Sequence, residues 1–146
     1  MKKLSVYIDT SVLGGCFEPE FAPWSLGLIA DFREGRFHPV ISEMLEAELA
    51  DAPARVQALY DEIAPIAGKV LTAGAEELAL VRAYQDRGVL GPKCLGDMLP
   101  MALATVANVD AVVSWNFKHI VRFDKIRAFN AVNLEQGYKA INIHSP

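Results

Sequence analysis

The chain has 146 residues, 52% hydrophobic and 22% charged, so it can bury a core and is too apolar to be disordered. No apolar run reaches the roughly 18 to 20 residues that a membrane-spanning helix needs. Asp9 interrupts the first apolar stretch, which argues against a secretory signal. Cys16 and Cys94 are too few for a disulfide framework and lack the paired spacing of a zinc site, so we expect buried thiols. These features predict one cytoplasmic domain, residues 1–146, that does not contact a membrane.

The charge is unevenly distributed along the chain. The net charge of −4 argues against nucleic-acid binding by nonspecific neutralisation of phosphates. Residues 1–110 carry nine basic and sixteen acidic side chains, whereas residues 111–146 carry five basic and two acidic ones. An acidic body with a basic end suits a site that holds cations and meets an anion.

Short β-rich runs alternate with helical patterns along the whole chain. The predicted strands are residues 4–8, 40–42, 69–72, 111–114 and 140–143. The predicted helices are residues 24–34, 43–49, 54–64, 75–87, 98–107 and 124–136. This alternation predicts an α/β fold, a three-layer α/β/α sandwich around a central parallel sheet.

Polar side chains follow two of the predicted strands or begin a helix. Asp9 ends the first strand, Asn116 follows the fourth, and Asp97 stands at the head of an apolar helix. In open α/β sheets ligands bind beyond the carboxyl ends of the strands, which favours these positions as functional. Each residue also has a structural interpretation, since Asp9 and Asp97 can cap helices and Asn116 can close a turn.

The helix predicted after the second strand carries three glutamates. At about 100° per residue, Glu48 shares a face with the apolar Met44 and Leu45, whereas Glu43 and Glu46 project elsewhere. We therefore expect Glu48 to be the most inward of the three and the other two to be solvated. A charged group turned toward a sheet is costly unless it is paired or holds a metal.

Together Asp9, Glu48 and Asp97 predict a metal site. Three carboxylates that meet at one edge of a sheet repel one another unless cations lie between them, and hard oxygen ligands select Mg²⁺ or Mn²⁺. An all-oxygen site of this kind is suited to activating water for cleavage of a phosphodiester bond.

Four segments in order resemble the PIN-domain family, the fold of many small metal-dependent ribonucleases that include VapC-type toxins of bacterial toxin–antitoxin pairs. The segments are YIDTSVL, VISEMLEAEL, GDMLPMALATV and DAVVSWNFKHIV, and they cover nearly the whole chain. The resemblance implies a PIN-like fold and a Mg²⁺- or Mn²⁺-dependent endoribonuclease whose metal is held by Asp9, Glu48 and Asp97. It also implies an RNA substrate, an antitoxin protein as partner, and a homodimer, which is common in the family.

The sequence departs from the family pattern at two positions. Asn116 stands where many members carry a fourth aspartate; its amide oxygen can still ligate Mg²⁺, but with one negative charge fewer. Pro100 stands where many relatives place a histidine, which removes one contact to substrate. We still count Asn116 among the catalytic and metal-binding residues.

Other polar residues near the predicted strand ends are candidates for substrate contacts. His119 beside Lys118 can approach a phosphate, and three hydroxyls, those of Thr10, Ser11 and Ser114, can contact phosphate or water on the metal. Trp115 can stack on a base, although packing is the commoner role of one aromatic residue at a strand end.

Two alternatives to a ribonuclease remain open from the sequence. The first is a catalytically weak or inactive PIN-like module that binds RNA or protein without cutting. The second is a phosphohydrolase that forms an aspartyl phosphate on the acid after the first strand. The haloacid-dehalogenase pattern requires a second aspartate two residues later, where this chain has Ser11, so this alternative ranks last.

Overall fold

The computed structural model describes residues 3–146, in which strands alternate with helices. The strands are β1 (Leu4–Ile8), β2 (Phe37–Ser42), β3 (Val70–Leu71), β4 (Ala111–Val113) and β5 (Asn142–His144). The helices are α1 (Thr10–Gly15), α2 (Ala22–Arg33), α3 (Glu43–Leu49), α4 (Ala54–Ala67), α5 (Ala75–Asp86), α6 (Leu95–Val106) and α7 (Phe123–Glu135). A 3₁₀ turn, Pro92–Cys94, precedes α6.

The strands form one parallel sheet in the order β3-β2-β1-β4-β5. The central strand β1 pairs Val6 with Pro39 of β2 on one side and with Ala111 of β4 on the other. The chain runs outward from β1 to β2 and β3, and then returns to the other side of β1 for β4 and β5. The order therefore reverses between β1 and β4, and such a switch point opens a crevice at the carboxyl ends of the strands.

Two hydrophobic clusters cover the two faces of the sheet. Along β1, Tyr7 belongs to the cluster that includes buried residues of α5, α6 and α7, whereas Val6 and Ile8 belong to the cluster that includes α1, α2, α3 and α4. This alternation follows from the two-residue period of a strand. The predicted α/β fold, with helices on both faces of a parallel sheet, is confirmed.

The structure differs from the predicted elements at several boundaries. Helix α1 was not predicted; it is only six residues long, and its buried face is Val12, Leu13 and Gly15. Strand β2 begins at Phe37 because its pairing with β1 extends through His38 and Pro39, which weaken the sequence signal of a strand.

Helix α6 begins at Leu95 rather than at Met98, so Pro100 lies inside the helix and not in its first turn. Because proline has no backbone N–H, Pro100 cannot donate the helical hydrogen bond to the carbonyl of Gly96, four residues earlier. The exposed position of Gly96 leaves that carbonyl near solvent, which limits the cost. Within residues 3–146, none of the helices combines the length and the hydropathy that a membrane span requires.

Candidate functional site

Asp9 lies at the carboxyl end of β1 and caps the helix that follows. Its backbone is extended, and its Oδ1 accepts hydrogen bonds from the Ser11 amide at 3.1 Å and from the Ser11 hydroxyl at 2.5 Å. A short acceptor side chain in this position satisfies N–H groups that the first turn of a helix leaves free. The strand-to-helix turn therefore determines the orientation of the Asp9 carboxylate.

Ser114 connects Asp9 with the neighbouring strand. It follows β4, is fully buried, and its Oγ donates to Oδ2 of Asp9 at 2.5 Å. The same Oγ accepts a hydrogen bond from the backbone N–H of Asn116 at 3.0 Å. Because β1 and β4 are adjacent and parallel, residues just after each strand meet across the switch point.

Asn116 in turn connects this edge with Asp97 in the first turn of α6. Its Nδ2 donates to Oδ1 of Asp97 at 3.1 Å, and its Oδ1 accepts the His119 backbone N–H at 2.9 Å. The His119 ring completes the arrangement, with Nδ1 at 2.8 Å from Oδ2 of Asp97. A continuous set of hydrogen bonds thus runs from Asp9 through Ser114 and Asn116 to Asp97 and His119.

Glu48 approaches the same edge from α3. Its Oε2 accepts a hydrogen bond from the Thr10 hydroxyl, in the residue next to Asp9. Glu43 instead accepts the Ala73 backbone N–H at 3.0 Å. Glu46 lies near Tyr60, and burial together with the charge of Glu46 raises the pKa of the Tyr60 hydroxyl. Of the three glutamates, Glu48 is the one that contacts α1.

The expectation that Glu48 turns inward needs correction, since the residue is exposed. The buried face of α3 is formed by Leu45 and Leu49. An exposed carboxylate keeps its hydration and avoids the cost of burial, while the length of the glutamate side chain still lets it reach Thr10.

The electrostatics of Asp9 favour a cation. Burial raises the pKa of Asp9, hydrogen bonds from Ser11 and Ser114 oppose that rise, and the charge of Glu48 adds to it. In the described part of the chain, neither Asp9 nor Glu48 forms an ion pair with a lysine or arginine. The pKa of the neighbouring Tyr7 is also raised, mainly by burial, and its hydroxyl lies 2.8 Å from Ser42 Oγ.

The donor set fits a hard divalent cation, since Asp9, Glu48 and Asp97 offer carboxylate oxygens and lack a lysine or arginine counter-charge within residues 3–146. These three carboxylates do not form a compact cluster. The one group of three or more acidic, histidine or cysteine donors within 4.8 Å of each other, among residues 3–146, is Cys94, Asp97 and His119. Asp97 belongs to both sets.

The hydroxyls expected to contact substrate are engaged inside the protein. Thr10 donates to Glu48, and Ser11 Oγ both donates to Asp9 and accepts the Trp115 amide N–H at 2.9 Å. Ser114 is fully buried, so its observed partners make it a residue that positions Asp9. Lys118 remains exposed beside this edge.

Trp115 packs against the protein rather than standing free. Its ring stacks on Phe21 with centroids 4.2 Å apart, and its Nε1 donates to Ser25 Oγ at 2.8 Å. Gly15 makes room for this contact, because a Cβ at that position would lie 2.7 Å from Trp115 Nε1. The packing interpretation of Trp115 is therefore confirmed.

Cys94 is the residue near this site that sequence reasoning missed. It was expected to be buried, as Cys16 is, but it lies at the end of the exposed 3₁₀ turn and is only partly buried. Its Sγ is 4.0 Å from His119 Nε2. The available signal was its position three residues before Asp97, a spacing that places both on one side of a helical turn.

No protein-family model and no curated protein matches this sequence. Among solved structures, the fold is similar to a chain in the crystal structure of VapBC2 from Rickettsia felis bound to a DNA fragment from their promoter. The TM-score is 0.60, and the similarity covers 98% of this chain and 99% of that chain at 12% identity.

This chain has a VapC-like PIN fold. The fold implied by the four sequence segments is thereby confirmed over nearly the whole length. At 12% identity the similarity concerns the fold, so it does not by itself assign an activity, a metal or a partner.

Proposed function

We propose that this protein is a Mg²⁺- or Mn²⁺-dependent endoribonuclease of the PIN type and acts as the toxin of a toxin–antitoxin pair. The observation that carries the proposal is the set of hydrogen bonds that joins Asp9 to Asp97 through Ser114 and Asn116 at the switch point of the sheet. In open parallel sheets, ligands bind beyond the carboxyl ends of the strands at such a switch point.

In this proposal, the metal is held by Asp9, Glu48 and Asp97, with Asn116 beside them. A bound Mg²⁺ or Mn²⁺ supplies positive charge that activates water and stabilises the phosphate undergoing cleavage. Ser11 and Ser114 hold the Asp9 carboxylate by hydrogen bonds to both of its oxygens. Thr10 donates to one oxygen of Glu48, so these hydroxyls orient acids rather than contact RNA directly.

Asn116 has a different role from the aspartate that many PIN proteins carry there. Its Nδ2 donates to Asp97 and its Oδ1 accepts from the His119 backbone, so the amide holds Asp97 in place and closes the turn. An aspartate could not donate to Asp97. We infer that Asn116 acts mainly as a positioning residue for Asp97.

Basic side chains next to this edge suit a polyanionic substrate. Lys118 is exposed in the segment between β4 and α7, and the end of the chain from residue 111 carries a net positive charge. Arg122 is exposed in the same segment but is paired with Asp124. Such cations attract RNA phosphates toward the acidic edge. An antitoxin protein, a homodimer and a cytoplasmic location complete the proposal.

The side-chain amide of Asn116 is already hydrogen-bonded to Asp97 and to the His119 backbone, which favours one alternative, a PIN-like module that binds RNA or protein and does not cut. In that case the acids at the sheet edge would hold the surrounding loops in place rather than bind a metal. A metal-dependent cleavage assay distinguishes the two functions.

The experiment is cleavage of a mixed panel of structured and unstructured RNAs in Mn²⁺, Mg²⁺ or EDTA. We expect cleavage that requires the metal, and we expect Asp9→Asn and Asp97→Asn to abolish it. Glu48→Gln should lower it strongly, whereas Glu43→Gln, on the same helix and away from Thr10, should not. Equal cleavage by the wild type and the Asp9 and Asp97 variants would refute the proposal; RNA binding without cleavage would favour the alternative.

A further inference from the structure

Three side chains of different chemistry meet at the start of α6. Cys94 ends the 3₁₀ turn and directly precedes α6, Asp97 lies in the first turn of α6, and His119 follows β4. Their donor atoms all lie within 4.8 Å of one another. The thiol Sγ is 4.0 Å from His119 Nε2, and His119 Nδ1 is 2.8 Å from Asp97 Oδ2.

All three side chains are accessible to an ion from solvent. Cys94, Asp97 and His119 are each partly buried, and the side chains of Asp97 and His119 are both 28% exposed. Within residues 3–146, the other cysteine belongs to no such group: Cys16 is buried, and its Sγ donates to the Val12 carbonyl at 3.6 Å. The two cysteines therefore provide a matched comparison within one chain.

We propose that Cys94, Asp97 and His119 form a binding site for a thiophilic divalent cation of the Zn²⁺ class. A thiolate, an imidazole and a carboxylate are all zinc ligands, and three protein ligands plus water is a common zinc arrangement. Mg²⁺ and Ca²⁺ bind thiolates weakly because these hard cations prefer oxygen ligands. The site is thus selective against the cation proposed for the acidic edge.

The observed distances suit this coordination. Zinc–ligand bonds of about 2.0 to 2.3 Å place tetrahedral donors about 3.3 to 3.8 Å apart. The thiol and the imidazole Nε2, at 4.0 Å, need to approach by only a few tenths of an ångström. To complete the set, Oδ2 of Asp97 must exchange its contact with His119 Nδ1 for the ion, while Oδ1 keeps the hydrogen bond from Asn116. His119 keeps its place through its backbone N–H, which donates to Asn116 Oδ1.

The site shares Asp97 with the proposed hard-metal site. Where the proposed nuclease function holds, an ion bound by Cys94 and His119 withdraws Asp97 from Mg²⁺, so the two metals compete and Zn²⁺ inhibits. The zinc site itself does not depend on that function, because it is defined by the three donors alone. Binding and inhibition can therefore be tested separately.

The binding test uses Co²⁺ as a probe, since a thiolate bound to cobalt gives a charge-transfer absorption band. Metal-free protein is titrated with Co²⁺, and Zn²⁺ is then added. We expect one Co²⁺ per chain, the thiolate band, and its loss when Zn²⁺ displaces Co²⁺. Cys16→Ala should retain the band, whereas Cys94→Ser should remove it and weaken Zn²⁺ binding at least tenfold.

His119→Ala should also weaken Zn²⁺ binding, and circular dichroism checks that each variant is folded. No cobalt band in the wild type, a band that survives Cys94→Ser, or a band lost with Cys16→Ala in a folded protein would overturn the proposal. These outcomes involve no RNA, so they are independent of the nuclease assay. If the wild type cleaves RNA, Cys94→Ser should cleave equally in Mg²⁺ and resist inhibition by Zn²⁺.

Discussion

The buried hydroxyl of Ser114 donates to Oδ2 of Asp9 at 2.5 Å, across 105 residues of sequence. The bond joins the ends of the adjacent strands β1 and β4 and fixes one oxygen of an acid whose other oxygen caps α1. The Ser114 hydroxyl also accepts the backbone N–H of Asn116, and the side chain of Asn116 donates to Asp97. A serine after one strand thus controls the geometry of acids that belong to two other elements.

Ser114→Ala should destabilise the protein by about 1 to 3 kcal/mol, because the backbone N–H of Asn116 loses its acceptor and the Asp9 carboxylate loses a donor. The pKa of Asp9 should rise further, since that hydrogen bond favours the carboxylate. Urea denaturation measures the free energy of unfolding. Ser145→Ala, at an exposed position, should change it by less than about 0.5 kcal/mol, and an equally small effect at Ser114 would contradict the prediction.

Asp9 should make the metal-free protein less stable as the pH rises. Its pKa is higher in the folded state than in the unfolded chain, so the folded state binds more protons between the two values. Stability attributable to Asp9 is therefore present below the ordinary aspartate pKa and is lost as the pH rises through the raised one. Asp9→Asn should remove this dependence and be at least as stable as the wild type near neutral pH.

Denaturation at a series of pH values in EDTA measures this effect as the difference between the wild type and Asp9→Asn. Added Mg²⁺ should stabilise the wild type at neutral pH and leave Asp9→Asn nearly unchanged. Parallel pH profiles for the two proteins would show that Asp9 has no raised pKa.

Asn116→Asp should have opposite effects with and without metal. In the wild type, Nδ2 of Asn116 donates to Asp97 at 3.1 Å, and in the variant a carboxylate faces Asp97 instead. In EDTA we therefore expect the free energy of unfolding to fall by about 1 to 2 kcal/mol. With Mg²⁺ or Mn²⁺ the added charge should tighten binding about tenfold, which corresponds to roughly 1.4 kcal/mol. Thermal denaturation and calorimetric titration in low salt measure the two effects. Unchanged or weaker metal binding would place Asn116 outside the metal site and leave it the roles of positioning Asp97 and closing the turn.

Gly15→Ala tests how the Trp115 packing supports this edge. The new Cβ would lie 2.7 Å from Trp115 Nε1 and 2.8 Å from Ser25 Oγ, so we expect destabilisation of about 1 to 3 kcal/mol. Gly14→Ala is the matched control in the same helix, since nothing lies within 4 Å of its Cβ position. It should be neutral or stabilise by up to about 1 kcal/mol. Equal denaturation midpoints for the two variants would exclude the close packing.

Much of the fold could be predicted from the sequence because it depends on local pattern. Alternating strands and helices imply a parallel sheet, and the sheet implies that Asp9 and the residues after β4 meet at one edge. Helix α3 was predicted with its observed bounds, since its apolar residues recur at helical spacing. The short α1 was not predicted, because one and a half turns carry too little periodicity to detect.

The particular contacts at the sheet edge were decided by tertiary structure. Sequence spacing selected Glu48 from three glutamates, but only the packing of α3 beside α1 gave it Thr10 as partner and left it exposed. Whether Asn116 donates to Asp97 depends on the path of the loop after β4, which follows no repeating pattern. The meeting of Cys94 with His119 likewise requires α6 and that loop to be adjacent in space. Periodicity reports which face of an element is buried, whereas a side-chain contact between distant elements depends on how those elements pack.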